Sequence, residues 1–213
     1  MTAAAARPPR IVVAITGATG VVYGVRTLQT LAALGAETHL VVSRHGALTL
    51  RAETDYTLDD LRSLATHVHP AGDVGASIAS GSHRFDGMII APCTVKTLSG
   101  LVNGYADNLV TRAADVTLKE GRKLVIVFRE TPLHLGHLRL LTAAAEMGAT
   151  VFPPMPAFYH RPDSIDEIIY HTVGRVLDQF GFEIPMDRWT GLRPDRDRPS
   201  DRLQTSACPT TDV

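Results

Sequence analysis

The chain has 213 residues, with 21 Lys and Arg against 22 Asp and Glu, a net charge of -1 that excludes a protein whose main task is coating nucleic acid. Apolar residues make up 45% and charged residues 20%, the balance of an ordinary globular domain, and a chain of this length buries roughly 70% of its unfolded surface without disulfides or structural metal. No apolar run reaches the roughly 18 residues of a membrane helix, the N-terminus has no signal-peptide core, and Cys93 and Cys208 form no framework, so the expected setting is the reduced cytoplasm, away from membranes.

Residues 1–9 end in two prolines and read as a loose tail. Residues 10–15 (RIVVAI) are a continuous apolar run, as in a buried parallel strand, and a Gly-rich turn follows. Residues 22–34 have apolar positions at helical spacing, and 37–42 (ETHLVV) form a second strand. A short helix over 58–65 precedes a Gly/Ser-rich loop that runs to Ser82. Strands are predicted over 85–91, 123–128 and 150–153, with helices over 97–104, 109–119, 137–147 and 164–179. Residues 190–213 turn to Arg, Asp, Pro, Ser and Thr and read as a peripheral tail, which leaves one domain over 10–189. Strands alternating with helices mean an α/β fold of three layers, Rossmann-like and flavodoxin-related, with a mostly parallel sheet covered on both faces.

In such a sheet, ligands sit beyond the carboxyl ends of the strands. Those ends carry Thr16 to Gly20, Ser43-Arg44, Pro92 to Thr97, Arg129 to Pro132, and the run from Pro153 to Arg161. Hydroxyls, glycines and cations therefore meet on one edge, where backbone N–H groups and helix N-termini suit a phosphorylated ligand. The plainer reading makes each Ser or Thr a helix N-cap. Gly17, Gly20 and Gly24 follow G-x-x-G-x-x-x-G, which departs from the dinucleotide fingerprint, and strand two ends in Ser43-Arg44 where an acidic residue is wanted. No Tyr has Lys four residues later, which further weakens a nicotinamide reading, although Arg44 could meet a 2′-phosphate.

The segments TGATGVVYG, APCTVKTLSG, RAADVTLKEGRKLVIVFRETPLHLGHL and PPMPAFYHRP resemble the flavin prenyltransferases of the UbiX/Pad1 family, within the flavoprotein superfamily. The resemblance spans about residues 10–189. It implies that reduced FMN is prenylated with dimethylallyl phosphate as donor, at N5 and then by ring closure at C6. The product, prenylated FMN, would serve UbiD-type decarboxylases. The resemblance places FMN on Gly17, Ala18, Thr19, Ser43, Thr94, Val95, Lys96, Thr97 and Arg129. It places the donor phosphate among Glu53, Lys119, Arg129, Tyr159 and Arg175, and makes Glu130 the catalytic acid/base, with Thr19 also in the catalytic set. Thr19 and Thr94 stand where the family more often has Ser; each keeps the hydroxyl and adds a methyl that stiffens χ1. The family implies a homo-dodecamer and no metal.

Cations in place of Mg²⁺ can stabilise a leaving phosphate, and a carboxylate of suitable pKa can take the proton lost on ring closure. Two rivals stand beside this reading. A non-catalytic FMN carrier would keep the flavin loops and dispense with Glu130, Lys119 and Arg175. A cysteine-decarboxylase-type flavoprotein would carry a PASANT-like motif and a His after strand one, where this chain has PCTVKT and Val21-Val22-Tyr23. The pair His134/His137, which could share a helix face, and the pair His67/His69, in a strand-like patch, offer too few ligands for a metal and read as structural or interfacial. Cys93 has no evident base beside it and reads as a small buried residue.

Overall fold

The computed structural model describes residues 7–191. Six strands form one all-parallel sheet: β1 Arg10–Ile15, β2 Glu37–Val42, β3 His67–Pro70, β4 Gly87–Cys93, β5 Lys123–Phe128 and β6 Thr150–Val151. Seven helices accompany them: α1 Val21–Ala33, α2 Arg44–Glu53, α3 Leu58–Leu64, α4 Val95–Val102, α5 Leu109–Lys119, α6 Leu135–Glu146 and α7 Ile165–Asp178. The strand order is β3-β2-β1-β4-β5-β6. The chain runs outward from β1 on one side, then returns to place β4 on the other, so the strand order reverses between β1 and β4.

The strands alternate their apolar side chains between two cores, as a period of two requires. Ile11, Val13 and Ile15 of β1 pack with Leu28 of α1, Leu61 of α3 and Val173 of α7. Val12 and Ala14 face the other way, into a core with Leu98 of α4, Val110 of α5 and Ala144 of α6. Both layers are covered, which explains why β4 is buried along its whole length and reads as an unbroken apolar run. Each fully buried Leu or Ile contributes roughly 1.5–3 kcal/mol relative to exposure.

Helix starts follow local chemistry. Ser43, Thr57, Thr94, Asn108, His134 and Ser164 each accept a backbone N–H from the first turn of the helix they precede. Gly20 precedes α1 at φ 91° and has no side chain to do the same. That conformation is open to glycine and strained for most other residues.

Two expectations need amendment. The chain after Ser43 is a ten-residue helix, α2, where no helix was expected; only Gly46 and Leu50 are buried in it, so its apolar stripe is thin. The strand-like patch of His67 and His69 is a sixth strand, one more than the five expected, on the open edge beyond β2 and mostly exposed. Within the Gly/Ser-rich loop, Ser77–Ala79 form a single 3-10 turn. Of the tails, residues 1–6 and 192–213 lie outside the described residues. Among the described residues no helix is long and apolar enough to cross a membrane.

Candidate functional site

Four adjacent strands, β2-β1-β4-β5, deliver their carboxyl ends to one edge. That edge carries the turn Gly17-Ala18-Thr19 after β1, Ser43 after β2, Thr94 to Thr97 after β4, and Arg129-Glu130 after β5. Every flavin-binding candidate drawn from the sequence therefore lies at the same rim.

Thr16 stitches this rim together. Its hydroxyl donates to the Pro92 carbonyl at 2.7 Å and accepts the Thr94 N–H at 3.0 Å. The Thr16 N–H also reaches the Pro92 carbonyl, at 3.2 Å. On one side Ser43 N–H donates to the Ile15 carbonyl at 2.9 Å; on the other Arg129 N–H donates to the Cys93 carbonyl at 3.2 Å. Four loops from four strands are thus held in register by backbone and hydroxyl bonds. Thr16 is 2% exposed, and sequence reasoning had not singled it out.

Gly17 is required by packing against the protein. A Cβ there would lie 2.4 Å from His45 Cβ and 3.0 Å from the His45 carbonyl carbon, both in the first turn of α2. Thr49 closes the same contact by donating to the Gly17 carbonyl at 3.3 Å. Ser43 and Thr94 do serve as N-caps, as the plainer reading has it: Ser43 Oγ accepts Gly46 N–H at 3.0 Å, and Thr94 Oγ1 accepts Thr97 N–H at 3.1 Å. Thr94 also donates to Thr97 Oγ1 at 3.0 Å. Capping fixes where these hydroxyls point, and the Ser43 O–H proton is left for an outside acceptor.

Glu53, assigned by the resemblance to the donor phosphate, sits at the first turn of the rim. Its carboxylate accepts Gly20 N–H at 2.8 Å and Val21 N–H at 3.2 Å, capping α1 from the far end of α2. An anion is stabilised at that helix terminus. Glu53 therefore supplies the cap that Gly20 lacks, and fixes the first turn.

Arg129 lies beside Tyr23 of α1. Burial raises the pKa of the Tyr23 phenol, and the Arg129 charge opposes that rise. Arg129 and Lys96 pair with no carboxylate among the described residues, so two cations face this rim uncompensated. Glu130 is exposed, and its Oε1 accepts Thr131 N–H at 3.1 Å, which holds the carboxylate at the rim. Cations, hydroxyls and N–H groups grouped beside a Tyr ring fit a phosphorylated aromatic ligand such as FMN. Cys93 is fully buried and burial pushes its thiol pKa far up, so it is no nucleophile.

Of the remaining donor-phosphate candidates, Lys119 lies at the other end of the sheet from this rim, and Tyr159 and Arg175 gather beside α7. Lys119 ends α5, just before β5 begins, and pairs with Glu120. It therefore lies at the amino end of β5, six residues or roughly 20 Å of strand away from Arg129. Tyr159 donates to or accepts from His171 Nε2 at 2.8 Å, and Arg175 lies one turn further along α7, with Asp178 at 3.4 Å. The end of α7 leads to Phe180, which packs against Gly87 at the amino end of β4. Tyr159 and Arg175 thus form a second group around His171, which Tyr159 reaches from the loop after β6, while Arg175 lies on the later half of α7.

Fold and rim together define a doubly wound α/β protein with its ligand edge at the strand-order reversal, built for a phosphorylated flavin. The Flavoprotein family model matches residues 2–175. The flavin prenyltransferase UbiX of Thauera aromatica is 58% identical over 183 residues, covering 85% of this chain and 94% of that one. The crystal structure of AnUbiX (PadA1) in complex with FMN and dimethylallyl pyrophosphate has a TM-score of 0.87 at 47% identity, covering 88% of this chain and all of the other. The dodecameric FMN-dependent UbiX-like decarboxylase of Escherichia coli O157:H7 has a TM-score of 0.83 at 52% identity, covering 86% of this chain and all of the other. The chain belongs to the flavoprotein family and, within it, to the UbiX-type flavin prenyltransferases.

Proposed function

We propose that this chain transfers a dimethylallyl group from dimethylallyl phosphate to reduced FMN and releases prenylated FMN. The carrying observation is the adjacent pair Arg129-Glu130, set at the flavin rim with Arg129 against Tyr23 and Glu130 beyond the end of β5. A flavin carrier has no use for an acid/base carboxylate at that point. Gly17, Ala18, Thr19, Ser43 and the Thr94, Val95, Lys96, Thr97 loop hold FMN. Arg129 balances the charge of the leaving phosphate as the donor C–O bond breaks and the carbon bonds to flavin N5. The proton lost from N5 leaves with the phosphate, and at ring closure Glu130 hands a proton to the allyl double bond and takes the one released from C6. Thr19 presents its hydroxyl at the same rim.

Lys119, Tyr159 and Arg175 complete the donor site from neighbouring copies, in an assembly taken to be a homo-dodecamer. The place of Lys119 at the far end of β5 from the rim supports this, as do large exposed apolar side chains: Leu135 at 59%, Met155 at 76%, Phe158 at 68% and Ile165 at 77%. Glu53 serves the site by fixing the α1 turn. The product passes to a UbiD-type decarboxylase, and the work is done in the cytoplasm.

The test is incubation of the full chain with reduced FMN and dimethylallyl phosphate, with mass analysis of the flavin. A flavin heavier by one C5 unit is expected. An unchanged flavin mass with FMN still bound would leave a carrier in place of an enzyme. Mixing Lys119→Ala chains with Glu130→Gln chains should restore activity above either alone if neighbours share the site.

A further inference from the structure

We propose that Glu37, His39 and His67 bind one divalent transition-metal ion of the zinc class, through Glu37 Oε1 and the Nε2 atoms of the two histidines. The sequence pairs His67 with His69 and offers too few ligands. The sheet adds the others. His39 of β2 is in register with His67 of β3, and Glu37 lies two residues before His39 on the same face.

The geometry is that of a preformed ligand set. Glu37 Oε1 is 3.4 Å from His39 Nε2 and 3.4 Å from His67 Nε2, and all three atoms lie within 4.8 Å of one another. Ligand atoms held about 2.0–2.1 Å from a tetrahedral zinc lie roughly 3.4 Å apart. His39 is 2% exposed, yet its Nε2 has no hydrogen-bond partner. A buried, unpartnered nitrogen aimed at a carboxylate oxygen is costly unless something occupies the space between them. Its other ring nitrogen, Nδ1, is 3.0 Å from His69 Nε2, the outer-shell contact that orients metal-binding histidines. Arg10 holds Glu37 Oε2 at 2.6 Å, which leaves Oε1 alone to face the imidazoles and makes the carboxylate a single-oxygen ligand.

Two imidazoles and one carboxylate suit zinc, cobalt and nickel, and do not suit Mg²⁺ or Ca²⁺, which want oxygen ligands. The site lies on the first residues of β2 and β3, away from the flavin rim, and a bound ion would tie the edge strand β3 to β2. The His67 side chain is 49% exposed, giving an entry path.

The experiment uses the tag-free full chain, stripped with chelator and titrated with cobalt(II) alone. One cobalt per chain is expected, with the visible absorption of a four-coordinate ion, displaced by zinc and unaffected by Mg²⁺. His67→Asn and Glu37→Gln should each weaken binding at least about tenfold, taking outer-shell effects of 10–100-fold as the lower guide. His134→Asn, which alters a histidine outside the cluster, should change nothing. Retained FMN binding in His67→Asn shows that the fold survives. Failure to bind one cobalt per chain, equal binding by the parent and both cluster variants, or an equal loss in His134→Asn would each overturn the site.

Discussion

Replacing Thr16 by Val preserves shape and removes one oxygen. That oxygen both donates to Pro92 and accepts from Thr94 N–H. The Pro92 carbonyl keeps a second donor, Thr16 N–H at 3.2 Å, so its loss is modest. Thr94 N–H has no such substitute in the structure. Two lost hydrogen bonds at about 1 kcal/mol each, with an unsatisfied partly buried N–H adding about 1–2 kcal/mol, give a destabilisation of roughly 3 kcal/mol. Thr16→Ser keeps the oxygen and should lose under about 1 kcal/mol. The loss also frees the Thr94 to Thr97 loop from β1, so FMN affinity should fall by about tenfold, or roughly 1.4 kcal/mol. Urea unfolding measures the first quantity and flavin fluorescence titration the second. If Thr16→Val matched Thr16→Ser in both, the hydroxyl would not be what holds the rim together.

Gly17→Val places a side chain where even a Cβ meets His45 at 2.4 Å; overpacking of this kind costs about 1–3 kcal/mol, and the displaced α2 turn should abolish FMN binding, which unchanged flavin affinity in a folded variant would contradict. Glu130→Gln should bind FMN as the parent does and form prenylated FMN about 10²–10⁴-fold more slowly, read by mass analysis over time; a parental rate would remove Glu130 from the chemistry. Burial, followed by the neighbouring His160, lowers the pKa of His171 below its ordinary 6.5. The folded chain thus binds this proton less readily than the unfolded one, so the stability is fully present above about pH 6.5 and is lost as pH falls toward the folded pKa. Between about pH 7.5 and about pH 5.5 the urea midpoint should drop more in the parent than in His171→Asn, and parallel slopes would show that His171 carries no such linkage.

Much of the fold was legible because both faces of the sheet are covered. β1, β2 and β5 lie where their apolar runs begin and end, and so does α5, whose buried face recurs at helical spacing. The pattern failed where burial is thin. The segment that forms α2 buries two residues, one of them Gly46, and β3 presents histidines where a buried strand would show Val or Ile. At the site, residue types at strand ends located the rim, because a parallel sheet brings those ends together whatever the loops do. They could not reveal Thr16 as the stitch, which depends on β4 passing beside β1. Nor could they reveal that Glu53 returns from the end of α2 to cap α1. The separation of Lys119 from Glu130 was legible, since one precedes and the other follows the apolar run of β5.

The two outer strands of the sheet are four and two residues long, and β3 ends on Pro70, which has no N–H to give. An exposed strand edge is a template on which another chain can add its own strand without limit. Here the template is too short at one side and interrupted at the other. Copies that meet must do so through helix faces and loops such as those carrying Leu135 and Met155, whose contacts are shaped and finite. A chain with such edges is thereby kept from the open-ended stacking that crowding would otherwise favour.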